Sequence, residues 1–429
     1  MATSAASDDL SDDLQSIIFD FLGSDSGSSF DSRTTPPEKV IGRRRSGEKL
    51  SMADLRFVRS LGSGDIGSVY LAEVKRSSGG FLVAAAKVVD KRELAARDKE
   101  GRARAEREVL EDLDHPFLAR LYGSVENGRW SVLLTEFCPG GDLHVLRQLQ
   151  PLKRFDEASV RFYASEVVVA MEYMHVRGII HRDLKPENVL IKSDGHIMLT
   201  DFDLSLKCSS SSSPTFAGSP TSDIASAASC IAPAISCLHR RLWWPRFRRR
   251  RTPPEFMSEP VNVRSNSFVG THEYLAPEIV SGEGHGSTVD WWTLGVFMFE
   301  LLYGFTPFTG ESERTWNNPE TTDQNASPSH YEMMTLANIV ACALEFPKEP
   351  TVSDAAKDLI RGLLAKDPER RLGATMGAPA IKRHRFFDGV NWALIRCVSP
   401  PYVPPAFKTV DFSKDVYDDS GPDMPVEFY

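Results

Sequence analysis

The run His181-Arg182-Asp183-Leu184-Lys185-Pro186-Glu187-Asn188 places a carboxylate, an ammonium and an amide oxygen in one short polar segment. Those groups suit phosphoryl transfer. A carboxylate (Asp183) can orient an attacking hydroxyl and accept its proton. A cation (Lys185) can sit on the transferred phosphoryl group, and Asn188 supplies an oxygen ligand for magnesium. An ordinary polar loop after a helix would not need all of these residue types in this order.

Thirteen residues after Asn188 comes Asp201-Phe202-Asp203, where Asp201 is placed to chelate magnesium bridging nucleotide phosphates. Upstream, Gly62-Ser63-Gly64-Asp65-Ile66-Gly67 lies between Leu61 and Val69. Glycines at that spacing let backbone N–H groups approach phosphate oxygens without a Cβ in the way. The same spacing also suits a dinucleotide fold or a plain Gly-rich hairpin, but a strand, not a helix, follows it. Lys87 ends the apolar run Val83-Ala84-Ala85-Ala86 and needs a carboxylate partner. Glu106 is the first candidate and Glu108 the alternative; either alone could equally be a solvated helix charge. Two further groups read as structural: Ala276-Pro277-Glu278 with Arg371 as its ion-pair partner, and Asp290, which would brace the loop around Asp183.

These groups need elements to hold them. Alternation from Asp54 predicts a strand; Leu71–Lys75, Phe81–Asp90 and Trp130–Phe137 continue in the same fashion, and Arg104–Leu113 reads as a helix. Strands with one helix make a small first lobe. Apolar residues at helical spacing over Ala158–His175, and helices over Asp290–Tyr303, Ala355–Leu364 and Ala378–His384, make a second, mainly helical lobe. The expected layout is a disordered acidic, Ser-rich segment over 1–53, an N-lobe over 54–138, a C-lobe over 139–387 and a Pro-rich tail over 388–429 without secondary structure. Insertions at 209–260 and 309–329 interrupt the C-lobe, the second read as a loop.

Composition bounds the partners. The chain has 429 residues and a formal net charge of −9, which argues against a nucleic-acid binder. Six scattered cysteines without a C-x-x-C pair fit a reducing compartment rather than a disulfide framework or zinc site. The first residues do not read as a secretory signal, and the apolar stretch Val296–Tyr303 is interrupted by Glu300 and too short to span a bilayer. These features predict an intracellular protein without a transmembrane helix; a cytoplasmic location and a monomeric state are the expectations set beside that reading.

Together the motifs resemble the AGC class of protein kinases, and within it the plant PINOID/WAG-like group, over about residues 54 to 400. The specific marks are Gly-Ser-Gly-Asp-Ile-Gly, Ser193-Asp-Gly-His-Ile-Met-Leu before Asp-Phe-Asp, a long insertion in the activation segment, and Ser267-Phe-Val-Gly-Thr271-His-Glu-Tyr. The resemblance implies an α+β, bilobed kinase fold with a small β-rich N-lobe. It implies a serine/threonine kinase using ATP and Mg²⁺, acting on auxin-efflux carriers at the plasma membrane. It assigns Glu136 and Cys138 to the adenine hinge, with Thr135 guarding the back pocket. Asp142, Glu187, Glu300 and Thr271 become substrate-facing positions, the three carboxylates suiting arginines before the target hydroxyl. Ser267 becomes the activation-loop phosphosite, with Ser265 competing and Arg182 as the phosphate's partner.

Three departures stand out. Asp203 replaces the glycine that most protein kinases carry there, at the expected expense of a loop that wants positive φ, although this plant group shares the Asp. His181 stands where relatives often have Tyr. The class's C-terminal Phe-x-x-Phe motif is missing, and Phe428-Tyr429 is the candidate dock for an upstream phosphoinositide-dependent kinase.

The first insertion carries Arg240, Arg241, Trp243, Trp244, Arg246, Arg248, Arg249, Arg250 and Arg251 with no acidic residue among them. Arginines attract anionic phospholipid at about 1 kcal/mol each near the surface, and tryptophans favour the headgroup zone. This predicts peripheral attachment to the plasma membrane; a nuclear-import signal or a solvated charge run is the plainer alternative. A catalytically silent scaffold is the rival for the whole chain, supported by Asp203 and the Ala-rich strand before Lys87. A lipid-binding adaptor would explain the insertion but not the Asp183 loop.

Overall fold

A computed structural model describes residues 50–76, 79–207, 265–309 and 328–407. The basic segment 239–251 and Phe428-Tyr429 lie outside the described residues. The chain divides into two compact units, one from the described parts of residues 1–145, 190–203 and 402–429, the other from 146–189 and 204–401.

The first unit is built on a five-stranded antiparallel sheet. Its strands β1 (Leu55–Ser63), β2 (Ser68–Lys75), β3 (Phe81–Asp90), β4 (Leu121–Glu126) and β5 (Trp130–Glu136) run in the order β1-β2-β3-β5-β4. β3 is central, so it must present small or branched residues to its neighbours. Ala84 and Ala86 are fully buried there, packed with Ala72, Val74, Val132 and Leu134. The Ala-rich run is thus a packed core strand, not a sign of decay. Two helices follow β3: α1 (Lys91–Ala96), N-capped by Asp90, whose carboxylate accepts from Arg92 N at 2.8 Å, and α2 (Glu100–Asp112). The single helix expected here is therefore two, and β4 is an addition to the predicted strands.

The second unit is mainly helical. α3 (Leu143–Gln148) starts in the first unit and ends in the second. α4 (Glu157–Val176) begins at Asp156, whose side chain accepts from Ser159 N at 2.7 Å, and packs against α6 (Thr288–Tyr303). Short strands β6 (Ile179–Ile180) and β9 (Leu206–Lys207) pair antiparallel, while β7 (Val189–Ile191) and β8 (Ile197–Leu199) form a hairpin that from Leu190 on belongs to the first unit. α5 (Pro277–Val280) precedes α6. α6 is apolar all round and buried along Val289–Tyr303, including Glu300. Its end is set by Gly304, whose φ of 87° is the left-handed cap that a residue with a Cβ resists. α8 (Asp354–Leu363), capped by Ser353, packs on α6, and α9 (Ala378–Lys382) packs on α4.

Two expectations change here. α7 (Pro328–Ala341) starts inside the segment 309–329 read as a loop, and the tail expected to lack secondary structure forms a kinked 3₁₀ segment at Trp392–Cys397, shortly after a 3₁₀ turn at Arg385–Phe387 that ends the C-lobe. Phe386 and Phe387 are buried in that turn, which explains why the chain orders there. No described helix is long and apolar enough to cross a membrane.

Candidate active site

The phosphate-binding candidate is the turn between β1 and β2. Gly64 N donates to Gly67 O at 2.8 Å, closing the turn, and Gly62 pairs with Val69 across the strands. Gly67 has a steric reason to be glycine: an added Cβ would lie 2.4 Å from Val88 O. Ile66 turns inward and is buried against Val89 and Leu94, while Ser63, Gly64 and Asp65 stay exposed and Leu61 and Val69 are half-buried. A turn anchored by one apolar side chain, with its backbone outward, has the character of a phosphate cradle.

Lys87 lies opposite Val69 in the β2–β3 register. Its Nζ donates to Glu106 Oε1 at 2.8 Å and to Asp201 Oδ1 at 2.9 Å, so Glu106 rather than Glu108 is the helix carboxylate it meets. Burial disfavours the Lys87 ammonium, but the charges of Glu106, Asp201 and Asp203 outweigh it and hold its pKa above the ordinary lysine value. Glu106 is buried and pushed up to about 7 by that burial, with Lys87 opposing and Asp201 and Asp203 adding to the rise.

Just after β5, Cys138, assigned to the adenine hinge by resemblance, is buried with its Sγ 3.7 Å from Met198 Sδ, and burial raises its thiol pKa. Glu136 N donates to Arg120 O, and the Glu136 carboxylate pairs with Lys192 at 2.8 Å. The Asp142 carboxylate accepts from Val145 N at 2.8 Å and so caps α3.

In the second unit, Asp183 is held from several sides. Its Oδ1 accepts from Thr271 N at 3.1 Å and Thr271 Oγ1 at 3.0 Å. Lys185 Nζ stands 3.0 Å from its Oδ2 and donates to Thr271 Oγ1 at 2.9 Å. Asn188 donates its amide nitrogen to Asp183 O at 2.8 Å and Oδ2 at 3.2 Å, which leaves the amide oxygen as the atom for a hard cation. Thr271, assigned to substrate by resemblance, thus also fixes the carboxylate.

The loop carrying Asp183 hangs on Asp290. That carboxylate is fully buried and accepts from His181 N at 2.9 Å, Arg182 N at 2.8 Å and His175 Nε2 at 2.8 Å. Burial alone would raise its pKa, yet His175 and the backbone N–H groups bring it below the usual carboxylate range. Arg182 adopts a φ of 68°, and its Nη1 donates to Ser267 Oγ at 2.8 Å and Ser265 Oγ at 3.2 Å. Both candidate phosphosites therefore sit on one guanidinium. His181 is fully buried, and Asp183 N donates to its Nδ1 at 3.3 Å.

Two placements differ from simple expectation. Glu300 is buried: Arg147 Nη2 lies 2.8 Å from its Oε1 and Tyr274 OH donates to its Oε2, whereas Glu187 is exposed. The positive φ expected of Asp203 falls instead on Asp201, at 63°. Asp203 is buried and paired with Arg102, a contact across 101 residues that no local pattern announces.

The donor set fits nucleotide and magnesium. Among the described residues no three His, Cys, Asp or Glu side chains gather into a metal cage. Magnesium instead suits one or two carboxylate or amide oxygens completed by phosphates; the first unit offers the Asp201 carboxylate and the second the Asn188 amide oxygen, each as a single donor of that kind.

The protein kinase domain family model matches residues 55–227 and 255–387, so the basic segment 239–251 falls wholly in the unmatched gap. Protein kinase PVPK-1 of Phaseolus vulgaris is 50% identical over 383 residues, covering 83% of this chain and 59% of its own length. Two serine/threonine-protein kinases of Arabidopsis thaliana are each 48% identical. AGC1-5 matches over 376 residues, covering 83% of this chain and 61% of its own length. AGC1-7 matches over 393 residues, covering 86% and 66%. The chain thus spans about three fifths of the length of these relatives. It belongs to the protein kinase family, in the plant AGC class of serine/threonine kinases.

Proposed function

We propose that this chain transfers the γ-phosphate of ATP to serine or threonine hydroxyls of proteins near basic residues. The observation that carries the reading is Asp183, whose carboxylate is gripped by Thr271, Lys185 and Asn188 so that one geometry is imposed on it. In that geometry Asp183 orients the incoming hydroxyl and takes its proton as attack proceeds. Lys185 sets a positive charge beside the attacking oxygen, and Lys87 presents one to the α- and β-phosphates. Magnesium, when bound, neutralises phosphate charge; Asp201 and Asn188 would hold it. Asp142, Glu187 and Glu300 favour arginines before the target residue.

The finer readings rest on the resemblance and the residues. Within the plant AGC class the PINOID/WAG-like group is the branch favoured, with auxin-efflux carriers as substrates. The Arg/Trp segment would hold a cytoplasmic monomer at anionic phospholipid of the plasma membrane, with nuclear import the competing use. Phe428-Tyr429 would dock an upstream phosphoinositide-dependent kinase that phosphorylates Ser267.

The test compares wild type with Asp183→Asn on a basic serine peptide with ATP and Mg²⁺. Transfer should fall about 10²- to 10⁴-fold in the variant. No transfer from wild type after treatment with an upstream kinase would move the reading to a nucleotide-binding scaffold. For the membrane reading, changing Arg248–Arg251 to Gln should reduce cosedimentation with anionic vesicles; undiminished binding would remove it.

A further inference from the structure

Asp203 poses a problem that its position in the loop does not solve. It is 6% exposed, two residues from Asp201, in a site that already holds Glu106. Lys87 is shared between Glu106 and Asp201, at 2.8 and 2.9 Å. A third carboxylate brought into that neighbourhood competes for the same ammonium. A buried carboxylate without its own cation is among the costlier features a protein can carry.

Arg102, on α2 one helical turn before Glu106, answers it. One end of its guanidinium, Nη2, lies 2.5 Å from Asp203 Oδ2. The other end, Nη1, donates to Asp65 Oδ2 at the tip of the phosphate-binding turn. Asp65 receives further donors on Oδ1, from Arg97 Nη2 at 2.5 Å and Lys99 Nζ at 2.5 Å, and its carbonyl accepts from Arg97 Nη1 at 2.8 Å. The Arg102 Nε is buried with no hydrogen-bond partner, so the two carboxylates are what hold the group. A planar fork can meet two carboxylates at once in a way that an ammonium cannot.

We infer that Arg102 is a positioning residue: it occupies Asp203 and Asp65 together, which keeps Lys87 on Glu106 and Asp201 and couples the phosphate-binding turn to the Asp-Phe-Asp segment through α2. This rests on the proposed phosphoryl transfer. It also accounts for Asp where most kinases have glycine: the side chain is one half of a bridge, and the backbone there is not left-handed. Arg102 acts through these neighbours and need not touch nucleotide. Asp203 and Arg102 then form a matched pair, and the loss of one should alter what the other does.

The experiment is a double-mutant cycle on the full chain: wild type, Arg102→Gln, Asp203→Gly and both together, with kcat, peptide KM and mant-ATP affinity read for each. Arg102→Gln alone should lower kcat and nucleotide affinity by about 10-fold, the size expected for strongly coupled neighbours, with peptide KM unchanged. In the Asp203→Gly background the same change should alter both by less than about 2-fold. An equal loss in both backgrounds would overturn the proposal, since Arg102 would then act independently of Asp203. Arg102→Lys keeps the charge but not the fork and should recover only part of the loss; full recovery would overturn the two-ended bridge. Should Arg102→Gln not fold, the double variant, which leaves no buried orphan carboxylate, is compared with Asp203→Gly, and a 10-fold gap between them overturns the pairing. If wild type binds mant-ATP but transfers no phosphate, the kinase reading fails, and the cycle is still decided on affinity.

Discussion

Arg371 and Glu278 form a two-pronged ion pair sealed from solvent, with Nη1 2.6 Å from Oε1 and Nη2 2.8 Å from Oε2. Arg371 also donates to Thr288 O at 3.0 Å and Ala365 O at 3.1 Å, so it ties α5, the start of α6 and the segment after α8 together. Truncating one partner strands a buried charge. Arg371→Met should destabilise the second unit by about 3–5 kcal/mol in denaturant unfolding, and adding Glu278→Leu should return a large part of that loss. A double variant no better than the single one would mean that packing, not charge, dominates here.

The Thr271 hydroxyl donates a hydrogen bond to Asp183 Oδ1 while accepting one from Lys185 Nζ. Thr271→Ala removes a hydrogen bond to a charged group and frees the carboxylate to rotate. We expect kcat to fall about 10- to 100-fold, with Thr271→Ser recovering it, since the serine hydroxyl can make both contacts. Steady-state kinetics on a serine peptide reads this directly.

The acidic positions should separate by burial. Glu187 is exposed, so a peptide arginine can reach its carboxylate from solvent. Glu187→Gln should raise KM for a basic peptide several-fold, with kcat near wild type and the difference shrinking at high salt. Glu300→Gln removes the charge opposite buried Arg147, so it should also lower the melting temperature. If both variants changed KM alone, the burial argument would be wrong.

Lys366 gives a pH dependence. Its Nζ lies 3.7 Å from the Phe308 ring centre and 5.3 Å from that of Trp292, and donates to Ile339 O. Burial disfavours the ammonium and brings the pKa down to about 8 from the ordinary 10.5. Between those values the unfolded chain holds a proton that the folded chain has released. This contribution therefore makes stability rise with pH across the window, and the gain is lost as pH falls through about 8. The melting temperature of wild type relative to Lys366→Met should increase between about pH 8 and 10, and a constant difference would refute it.

The chemistry was legible because it is contiguous. His181 to Asn188 lie side by side in the chain, and one loop carries them. β3 matched its expected bounds, since the apolar stretch that starts at Phe81 is interrupted only by Lys87 and closed by Asp90. β4 is short and half-buried, with Gly123 weakening its pattern, and α1 is only six residues long, so neither announces itself by periodicity. The 3₁₀ turns after Arg385 depend on burying Phe386 and Phe387 against α4, which local sequence does not show. The Arg102–Asp203 pair was invisible for the same reason. Glycine at the third position of the triplet suggests a backbone demand; only the fold reveals that Asp203 meets a side-chain demand instead.

The burial of Cys138 has a practical consequence. A thiol whose pKa is raised, tucked against Met198, stays protonated and shielded, and the thiolate is the form that reacts with electrophiles. Cys342 and Cys397 are exposed, so among the described cysteines they are the ones a maleimide reaches first. Alkylation of Cys138 would then serve as a clock: its slow modification, timed by mass spectrometry against the two fast sites, reports how often the packing of Cys138 against Met198 loosens.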